Sequence, residues 1–253
     1  MKKPLVSVII VNWNGKKWLK ECLDSLVAQT YKQIEIVLVD NGSTDDSVRF
    51  VELHYPSVHI IETRKNLGFA AGNNAGIAES KGELIMLLNN DIWVDKSFIA
   101  SLVSFYSSHS FDVVGPYEAG PGKEIRSEDN VIRKIDYLGH PININQGAGR
   151  PFFLSGVAVL FSRKLYFETG SLDNNFFMYF EEIDWFWRLH LYNKKISHVP
   201  GVYVHHYGTG SSTAGINENI FLWRNQNTLQ MLLKNYRLFN LIWVLPLYFI
   251  INI

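Results

Sequence analysis

The segment "IEIVLVDNGSTDDS", residues 34–47, decides the fold class of this chain. It reads as a continuous apolar strand that ends in a carboxylate, Asp40, and is followed by a polar turn and the start of a helix. A strand that is apolar at consecutive positions is typical of a parallel sheet with both faces covered. The segment therefore predicts one strand-and-helix unit of an α/β protein.

The same alternation of strand and helix continues on both sides of this segment. The predicted strands are "LVSVIIV", "IEIVLVD", "SVHIIET", "ELIMLLN" and "FDVVGP", and the helices between them are "KKWLKECLDSLVAQ", "TDDSVRFVELHY", "FAAGNNAGIAES" and "KSFIASLVSFYSS". This order predicts a mostly parallel central sheet flanked by helices, with ligands beyond the carboxyl ends of the strands. The pattern fades over residues 117–150, which predicts a functional flap or mobile loop, and resumes with "PFFLSGVAVLFSRKLYFETG".

Composition limits the classes of function. The chain has 253 residues, with 24 basic and 24 acidic side chains, so no global basic field favours nucleic acid and a phosphate must be bound by local chemistry. The single cysteine, Cys22, excludes an internal disulfide framework and predicts a core thiol in a reducing compartment. The apolar run after the N-terminal lysines is too short for a signal peptide and predicts a strand.

The C-terminal segment, residues 238–253, is almost wholly apolar. It is shorter than the roughly 20 residues that span a bilayer, and Pro246 interrupts it. Two interpretations stay open: a packed helix, or a membrane-surface anchor or the start of a spanning segment. Lys234 and Arg237 just before it suit an interfacial helix that faces anionic lipid.

Polar residues follow the predicted strands. A carboxylate such as Asp40 can accept a hydrogen bond from the imide N–H of uracil or thymine, whereas Ser43 or Thr44 would simply cap the next helix. The segment 89–91, "NND", is either a turn or a site for a divalent metal. Alternation along the late strand "KISHVPGVYVHH" places His205 and His206 on opposite faces, and one of them is predicted to be functional.

The segment "NLGFAAGNNAGI", residues 66–77, is rich in glycine but lacks the G-x-G-x-x-G spacing of a dinucleotide fingerprint. Gly72 and Gly76 are consistent with close helix packing. Asn66 and Gly68, at the entrance of the helix, are candidates to face a nucleotide.

The segment "FFMYFEEIDWFWRLH", residues 176–190, sets three acids among large aromatic residues. Charged groups are costly to bury, so acids in such a setting indicate a functional site. Asp184 and Arg188 have the i,i+4 spacing of an intrahelical ion pair, which is the preferred interpretation of that pair. About half of the aromatic residues are expected in the core.

Six stretches in this order resemble the inverting family 2 glycosyltransferases of the GT-A fold, and within them the rhamnosyltransferase-type branch of bacterial cell-surface polysaccharide synthesis. They are "VSVIIVNWNG", "IEIVLVDNGSTDDS", "NLGFAAGNNAGI", "LLNNDI", "FFLSGVAVLFSRKLYFETGSLDNNFFMYFEEIDWFWR" and "VPGVYVHHYGTGSS", covering about residues 5–212. The resemblance implies transfer of a sugar, rhamnose or similar, from a nucleotide-diphosphate donor to a glycan or lipid-linked acceptor, with no nucleic-acid partner.

The resemblance also implies a donor site and a metal. The donor-binding residues would be Val11, Trp13, Asn14, Asp40, Asn41, Gly42, Asn66, Gly68, Asn73, Asn89, Asn90 and Asp91, with Val11, Trp13 and Asp40 around the base. Asp91 ends the counterpart of the family's Asp-x-Asp motif and would bind Mg²⁺ or Mn²⁺. Asn89 replaces the first Asp, which implies weaker metal binding. His206 is favoured as a further ligand by its spacing from Pro200, and His205 stays open.

The acid–aromatic segment matches the family's Glu-Asp-x-Asp motif, whose second acid is the general base. That position is Glu182 here, where relatives usually carry Asp. Glu181, Asp184, Tyr179 and Trp185 would lie on the acceptor side. Two other classes stay open: a catalytically inactive glycan-binding or scaffold relative, and a sugar nucleotidyltransferase, although no Gly-rich loop with Arg or Lys follows the first strand.

The expected organisation is one GT-A domain over residues 1–237. Residues 1–115 would bind the nucleotide sugar, 116–150 would form the flexible loop, and 151–237 would carry the acceptor side and the base. The apolar segment 238–253 would give peripheral membrane contact. The expected location is therefore the cytoplasm, at the inner face of the cell membrane.

Overall fold

The computed structural model describes residues 3–120, 125, 130–145, 149–208 and 217–252. In chain order its elements are β1 (Val6–Asn12), α1 (Lys16–Val27), β2 (Ile34–Asp40), α2 (Ser47–His54), β3 (His59–Glu62), α3 (Gly68–Glu79), β4 (Leu84–Asn89), β5 (Ile92–Val94), α4 (Phe98–Ser108), β6 (Val113–Ala119), β7 (Val131–Ile135), β8 (Pro141–Asn145), β9 (Ala158–Ser162), α5 (Arg163–Glu168), α6 (Glu181–Leu191), β10 (Ile196–His206), α7 (Asn217–Asn235) and α8 (Leu238–Asn252).

Eight strands form one mainly parallel sheet in the order β3-β2-β1-β4-β9-β6-β10-β5. Strands β3, β2, β1 and β4 run parallel, and β10 runs parallel to β6. β9 is antiparallel to both β4 and β6, and β5 is antiparallel to β10. The predicted fold class is confirmed, and the carboxyl ends of β1, β2, β4 and β10 lie at the same edge of the sheet.

Both faces of the sheet are covered, which explains the continuous apolar strands. Val8 and Ile10 of β1 belong to one hydrophobic cluster with α1 and α4, whereas Ile9 belongs to the other cluster, with α3 and α6. Successive side chains of a strand point to opposite faces, so each face needs its own apolar partner. Cys22 is buried in the first cluster, as the sequence predicts.

The interval 116–150 was predicted as a loop, and the structure corrects this prediction. β6 continues to Ala119, and β7 and β8 pair as an antiparallel hairpin. The main-chain N–H of Phe152 donates to the carbonyl of Arg133 at 2.8 Å, so the hairpin is joined to the returning chain. Each strand has only five residues, and residues 141–144 of β8 are exposed, so the sequence pattern of the hairpin is weak. Residues 121–124, 126–129 and 146–148 lie outside the described part of this interval.

The predicted cap of the second helix is also wrong. α2 begins at Ser47, whose main-chain N–H donates to Asp45 Oδ1 at 3.2 Å. Ser43 lies one turn too early to cap α2, and its hydroxyl instead accepts a hydrogen bond from the main-chain N–H of Asn14 at 2.9 Å. Ser43 therefore joins the ends of β1 and β2.

The C-terminal helix α8 packs through one narrow stripe. Val244 and Tyr248 are buried, and the Tyr248 hydroxyl donates to the Asn225 carbonyl at 2.9 Å. Most of its other large apolar side chains are exposed. Across the described ranges, no helix combines the length and apolar character that crossing a bilayer requires.

Candidate active site

A cavity of about 380 Å³ opens at the carboxyl edge of the sheet. This is the edge at which open α/β sheets bind ligands, and the volume suits a small organic molecule. Its lining comes from strand ends, the start of α3 and the start of α6: Val11, Trp13, Asn41, Asn66, Gly68, Phe69, Asn89, Asn90, Asp91, Ser155, Gly156, Val157, Met178, Tyr179, Glu181, Glu182, His206 and Gly208.

Eight of the twelve predicted donor residues line this cavity: Val11, Trp13, Asn41, Asn66, Gly68, Asn89, Asn90 and Asp91. The amide of Asn41 donates to the Gly68 carbonyl at 3.0 Å and to Asn66 Oδ1 at 3.1 Å, which connects the end of β2 with the entrance of α3. Gly68 has φ +84°, and a Cβ there would collide with the Phe177 carbonyl oxygen. Glycine is required at this point because another element approaches its backbone so closely.

The other four predicted donor residues, Asn14, Asp40, Gly42 and Asn73, do not line the cavity. Asp40 is 3% exposed, and its Oδ2 accepts from the main-chain N–H of Ser43 at 2.9 Å. The amide of Asn73 donates to the Phe69 carbonyl within α3. Asp40 therefore holds the turn after β2. Its predicted contact with a base stays a prediction.

Asn12 was missed by the sequence interpretation. It is fully buried at the end of β1, and its Oδ1 accepts from the amide of Asn90 at 2.7 Å. Its own amide donates to the Ser43 hydroxyl at 3.2 Å. Asn12 thus fixes the tips of three neighbouring strands. The signal was available, because a polar residue ending a continuous apolar strand needs a partner.

The acid pair Glu181 and Glu182 begins α6 and faces the cavity. The Oε2 atoms of both are buried with no hydrogen-bond partner in the described structure. Burial raises the pKa of Glu181 well above its usual range, and the charge of Glu182 adds to this effect. Burial also raises the pKa of Glu182, while hydrogen bonds from the main-chain N–H groups of Glu182 and Ile183 and the charge of Arg133 partly oppose the rise. A carboxylate with one unpartnered oxygen and a raised pKa is suited to take a proton from a hydroxyl.

Two of the predicted acceptor-side residues, Glu181 and Tyr179, line the cavity, but Asp184 and Trp185 do not. Asp184 is fully buried and accepts from Arg188 Nε at 3.1 Å and from Lys234 Nζ at 3.0 Å. The predicted Asp184–Arg188 ion pair is confirmed. Asp184 lies about 200° around the helix axis from Glu182, so the two acids project from opposite sides of α6.

Trp185 belongs to the core on the far side of the sheet from α1. Its indole N–H donates to the Thr169 hydroxyl at 3.1 Å, and its ring packs on Phe161. The acceptor-side assignment of Asp184 and Trp185 is therefore corrected: both stabilise the helix that carries the acid pair.

His206 and Asp91 meet in the cavity, with His206 Nε2 3.2 Å from Asp91 Oδ1. His205 lies on the other face of β10, where its ring stacks on Trp93 at a centroid distance of 3.7 Å. His206, the histidine that the spacing from Pro200 favours, therefore lies in the cavity.

Glu118 holds the other side of His206 and was missed from sequence. His206 Nδ1 lies 2.7 Å from Glu118 Oε1, and Arg133 donates to Glu118 Oε2 at 2.8 Å. Burial alone would lower the pKa of His206, but the hydrogen bonds to Asp91 and Glu118 raise it to about 9. Burial alone would raise the pKa of Glu118, but the hydrogen bond from His206 and the charge of Arg133 lower it to about 2.

The polar groups near Asp91 fit a divalent cation that the substrate helps to bind. Asp91 offers a carboxylate and His206 an imidazole, and Asn89 Oδ1 is buried with no partner in the described structure. Within the described ranges no three His, Cys, Asp or Glu side chains form a metal cluster. Mg²⁺ commonly takes one or two carboxylates together with substrate phosphates. This small set of protein ligands is therefore compatible with Mg²⁺.

Comparison with known proteins gives the family. The model of glycosyl transferase family 2 matches residues 7–169. The low-salt glycan biosynthesis hexosyltransferase Agl10 of Haloferax volcanii is 27% identical over 192 residues, which are 72% of this chain and 61% of Agl10. The glycosyltransferase GlyA of Streptococcus pneumoniae is 32% identical over 117 residues, 44% of this chain and 16% of GlyA. The chain thus spans only part of the length of these relatives.

Solved structures share the fold. The mannosyltransferase PcManGT of Pyrobaculum calidifontis, in complex with GDP-Man and Mn²⁺, superposes with a TM-score of 0.67 at 17% identity, covering 92% of this chain and 64% of PcManGT. S. aureus TarS 1–349 in complex with UDP-GlcNAc superposes with a TM-score of 0.62 at 19% identity, covering 90% of this chain and 66% of the TarS chain. At these identities the likeness establishes the GT-A fold.

Proposed function

This chain belongs to glycosyl transferase family 2, and on that premise we propose that it is an inverting, metal-dependent enzyme. It transfers a sugar, rhamnose or a similar hexose, from a nucleotide-diphosphate donor to a glycan or lipid-linked acceptor. The observation that carries this proposal is that one cavity holds the Asp91–His206 pair together with Glu182, whose Oε2 is buried without a hydrogen-bond partner among the described residues.

The residues on the two sides of the cavity have separate tasks. Glu182 accepts the proton of the acceptor hydroxyl, whose oxygen then attacks the anomeric carbon from the face opposite the diphosphate and inverts its configuration. The raised pKa of Glu182 makes it a stronger base than an exposed carboxylate. The half-buried aromatic residues of the lining, Trp13, Phe69 and Tyr179, would limit the water that competes with the acceptor.

Asp91 and His206 hold the diphosphate side. Asp91 would bind Mg²⁺ or Mn²⁺, and a bound cation offsets the charge that grows on the departing diphosphate. His206 either ligates that cation through Nε2 as a neutral imidazole or, as an imidazolium, donates a hydrogen bond to a phosphate oxygen. Val11, Trp13 and Asn41 lie beside them and are the candidates to contact the base and the ribose.

The relatives favour a role in glycan synthesis without fixing the donor. Agl10 is described as a glycan biosynthesis hexosyltransferase, and the structural neighbours hold GDP-Man and UDP-GlcNAc. The exposed apolar helix α8 supports the further proposal that the enzyme acts in cell-surface polysaccharide synthesis at the inner face of the membrane, on a lipid-linked acceptor.

A donor screen tests the proposal. The protein is incubated with Mn²⁺ or Mg²⁺ and a panel of UDP-, dTDP- and GDP-sugars, and thermal shift and slow donor hydrolysis are recorded. One donor should stabilise the protein only with metal. Asp91→Ala should abolish that shift, whereas Glu182→Gln should keep the shift and reduce hydrolysis by about 100-fold or more.

Glu182→Asp is the matched control for the base, because it keeps the carboxylate and should retain part of the turnover. Donor binding with no turnover by the wild type would favour the inactive relative. Release of a sugar phosphate and a nucleoside triphosphate in the presence of pyrophosphate would favour the nucleotidyltransferase.

A further inference from the structure

We propose that Asn227, on α7, is a positioning residue that holds the turn before α6 in the conformation from which Glu182 reaches the cavity. The inference rests on the proposed function, because it assigns Glu182 the role of base. Asn227 belongs to no motif of the sequence and does not line the cavity.

The turn before α6 has an unfavourable backbone. Tyr179 and Phe180 have φ of 71° and 72°, a left-handed conformation that bulky residues rarely adopt. Phe180 is the residue from which α6 begins, and Glu181 and Glu182 follow it directly. A change in this turn would therefore rotate the first turn of α6 and the two acids with it. Strained backbone persists only where its surroundings hold it in place.

One side chain supplies much of that support. The amide nitrogen of Asn227 donates to the carbonyl of Met178 at 2.9 Å and to the carbonyl of Tyr179 at 2.8 Å. Both amide hydrogens are thus used on two successive carbonyls, which the left-handed backbone turns toward α7. Asn227 is 5% exposed, so water does not replace these bonds when the side chain is removed.

The opposite side of the turn is fixed by the donor half of the site. The main-chain N–H of Phe69 donates to the Phe177 carbonyl at 2.7 Å, next to the close approach at Gly68. The turn therefore lies between α3, which lines the donor side, and Asn227 on α7. Because the α3 contact holds only Phe177, loss of Asn227 would free the part of the turn nearest to Glu182.

The test replaces Asn227 with leucine, which has a similar volume and no donor. Thr228→Val is the matched control: Thr228 is the next buried residue of α7, and its hydroxyl donates within the helix, to the Arg224 carbonyl at 2.7 Å. With the donor identified in the screen, Asn227→Leu should lower kcat at least about tenfold and leave the KM for the donor within about twofold. Thr228→Val should change neither by more than about twofold.

A melting cycle tests the clamp without any substrate. Tyr179→Gly relieves the backbone strain, because glycine adopts positive φ readily. Asn227→Leu should therefore lower the melting temperature by at most half as much in the Tyr179→Gly background as in the wild type. Equal decreases in the two backgrounds, or a kcat for Asn227→Leu no lower than that of Thr228→Val, would overturn the inference. If the wild type turns over no donor, the proposed function fails, and the melting cycle alone still decides whether Asn227 holds the turn.

Discussion

At the scale of single residues, the orientation of His206 depends on Glu118. A histidine that binds a metal or phosphate through Nε2 needs its Nδ1–H fixed, and Glu118 lies 2.7 Å from that atom. We predict that Glu118→Ala weakens the binding of Mn²⁺ in the presence of the donor nucleotide by about 10–100-fold. The measurement is a thermal-shift titration with the metal.

Glu118→Gln is the control for this prediction, because it keeps an acceptor for Nδ1–H and removes only the charge. It should retain more affinity than Glu118→Ala. Equal metal affinity in the wild type and in Glu118→Ala would contradict the orienting role.

His198 makes stability depend on pH. It is buried, its Nδ1–H donates to the Pro116 carbonyl at 2.8 Å, and its ring stacks on Tyr117. Burial and the charge of Arg133 lower its pKa from 6.5 to about 4, although the hydrogen bond to Pro116 opposes this shift. Below pH 6.5 the unfolded chain binds the proton first, so stability is lost as pH falls from about 6.5 to 4.

The corresponding variant is His198→Asn, which can still donate to the Pro116 carbonyl. Between pH 7 and 4 the wild type should lose about 3 kcal/mol more unfolding free energy than His198→Asn, as measured by denaturant unfolding at each pH. Parallel slopes for the wild type and His198→Asn would refute the prediction.

Residues that follow from a local motif could be predicted, and those that depend on distant partners could not. His206 and Glu182 were assigned because their local segments resemble motifs of the family, and both line the cavity. Asn227 contacts residues 48 and 49 positions away, and Glu118 contacts a histidine 88 positions away. No local pattern marks either residue, because their function arises only when the sheet and α7 come together.

At the scale of the elements, Asp184 joins α6 to α7. It contacts Arg188 on its own helix, and Lys234 and Asn235 on α7. Removing the buried acid leaves Arg188 without its carboxylate and Lys234 with Asp173 alone, so Asp184→Ala should cost about 3 kcal/mol of unfolding free energy, measured by chemical denaturation.

Lys20→Ala is the comparison for this prediction, since it breaks the exposed Lys20–Asp24 pair and should cost less than about 1 kcal/mol. If Asp184→Ala abolished turnover without lowering stability, the result would contradict this structural role and favour the original assignment of Asp184 to the acceptor side.

Helices and strands were predictable in proportion to their burial. β1, β2 and β4 carry continuous apolar runs because both of their faces are covered, and the sequence predicts all three. The strands of the hairpin, β7 and β8, have five residues each, and residues 141–144 of β8 are exposed, so neither strand shows a long buried apolar run. The local sequence pattern likewise could not predict that β9 lies antiparallel between β4 and β6, since strand pairing is decided by the whole sheet.

At the scale of the whole molecule, the location of the site follows from topology. β1, β2, β4 and β10 all end at one edge, so a polar residue after any of these strands lies near the others. The sequence could predict this edge from the alternation of strands and helices alone. It could not predict which polar residues face the cavity and which hold the turns behind it. Asn90 lines the cavity, whereas Asp40 holds the turn after β2.

Among the described residues, the exposed surface of α8 is a large feature that the cavity does not explain. Its exposed apolar residues include Leu238, Phe239, Ile242, Trp243, Leu247, Phe249, Ile250 and Ile251. Lys234 is occupied by Asp173 and Asp184, so only Arg237 of the two predicted basic residues is available to an anionic surface. Apolar area therefore has to supply most of any membrane affinity.

We predict that the protein co-sediments with vesicles of phosphatidylglycerol and phosphatidylcholine, and that the fluorescence of Trp243 shifts to shorter wavelength on binding. The double variant Trp243→Ser with Ile250→Ser should bind at least about tenfold more weakly, because each buried methylene contributes about 0.8 kcal/mol. Leu53→Ser, at an equally exposed apolar residue on α2, should bind as the wild type does. Equal sedimentation of the double variant and the wild type would show that α8 does not contact lipid, and its apolar face would then need a protein partner.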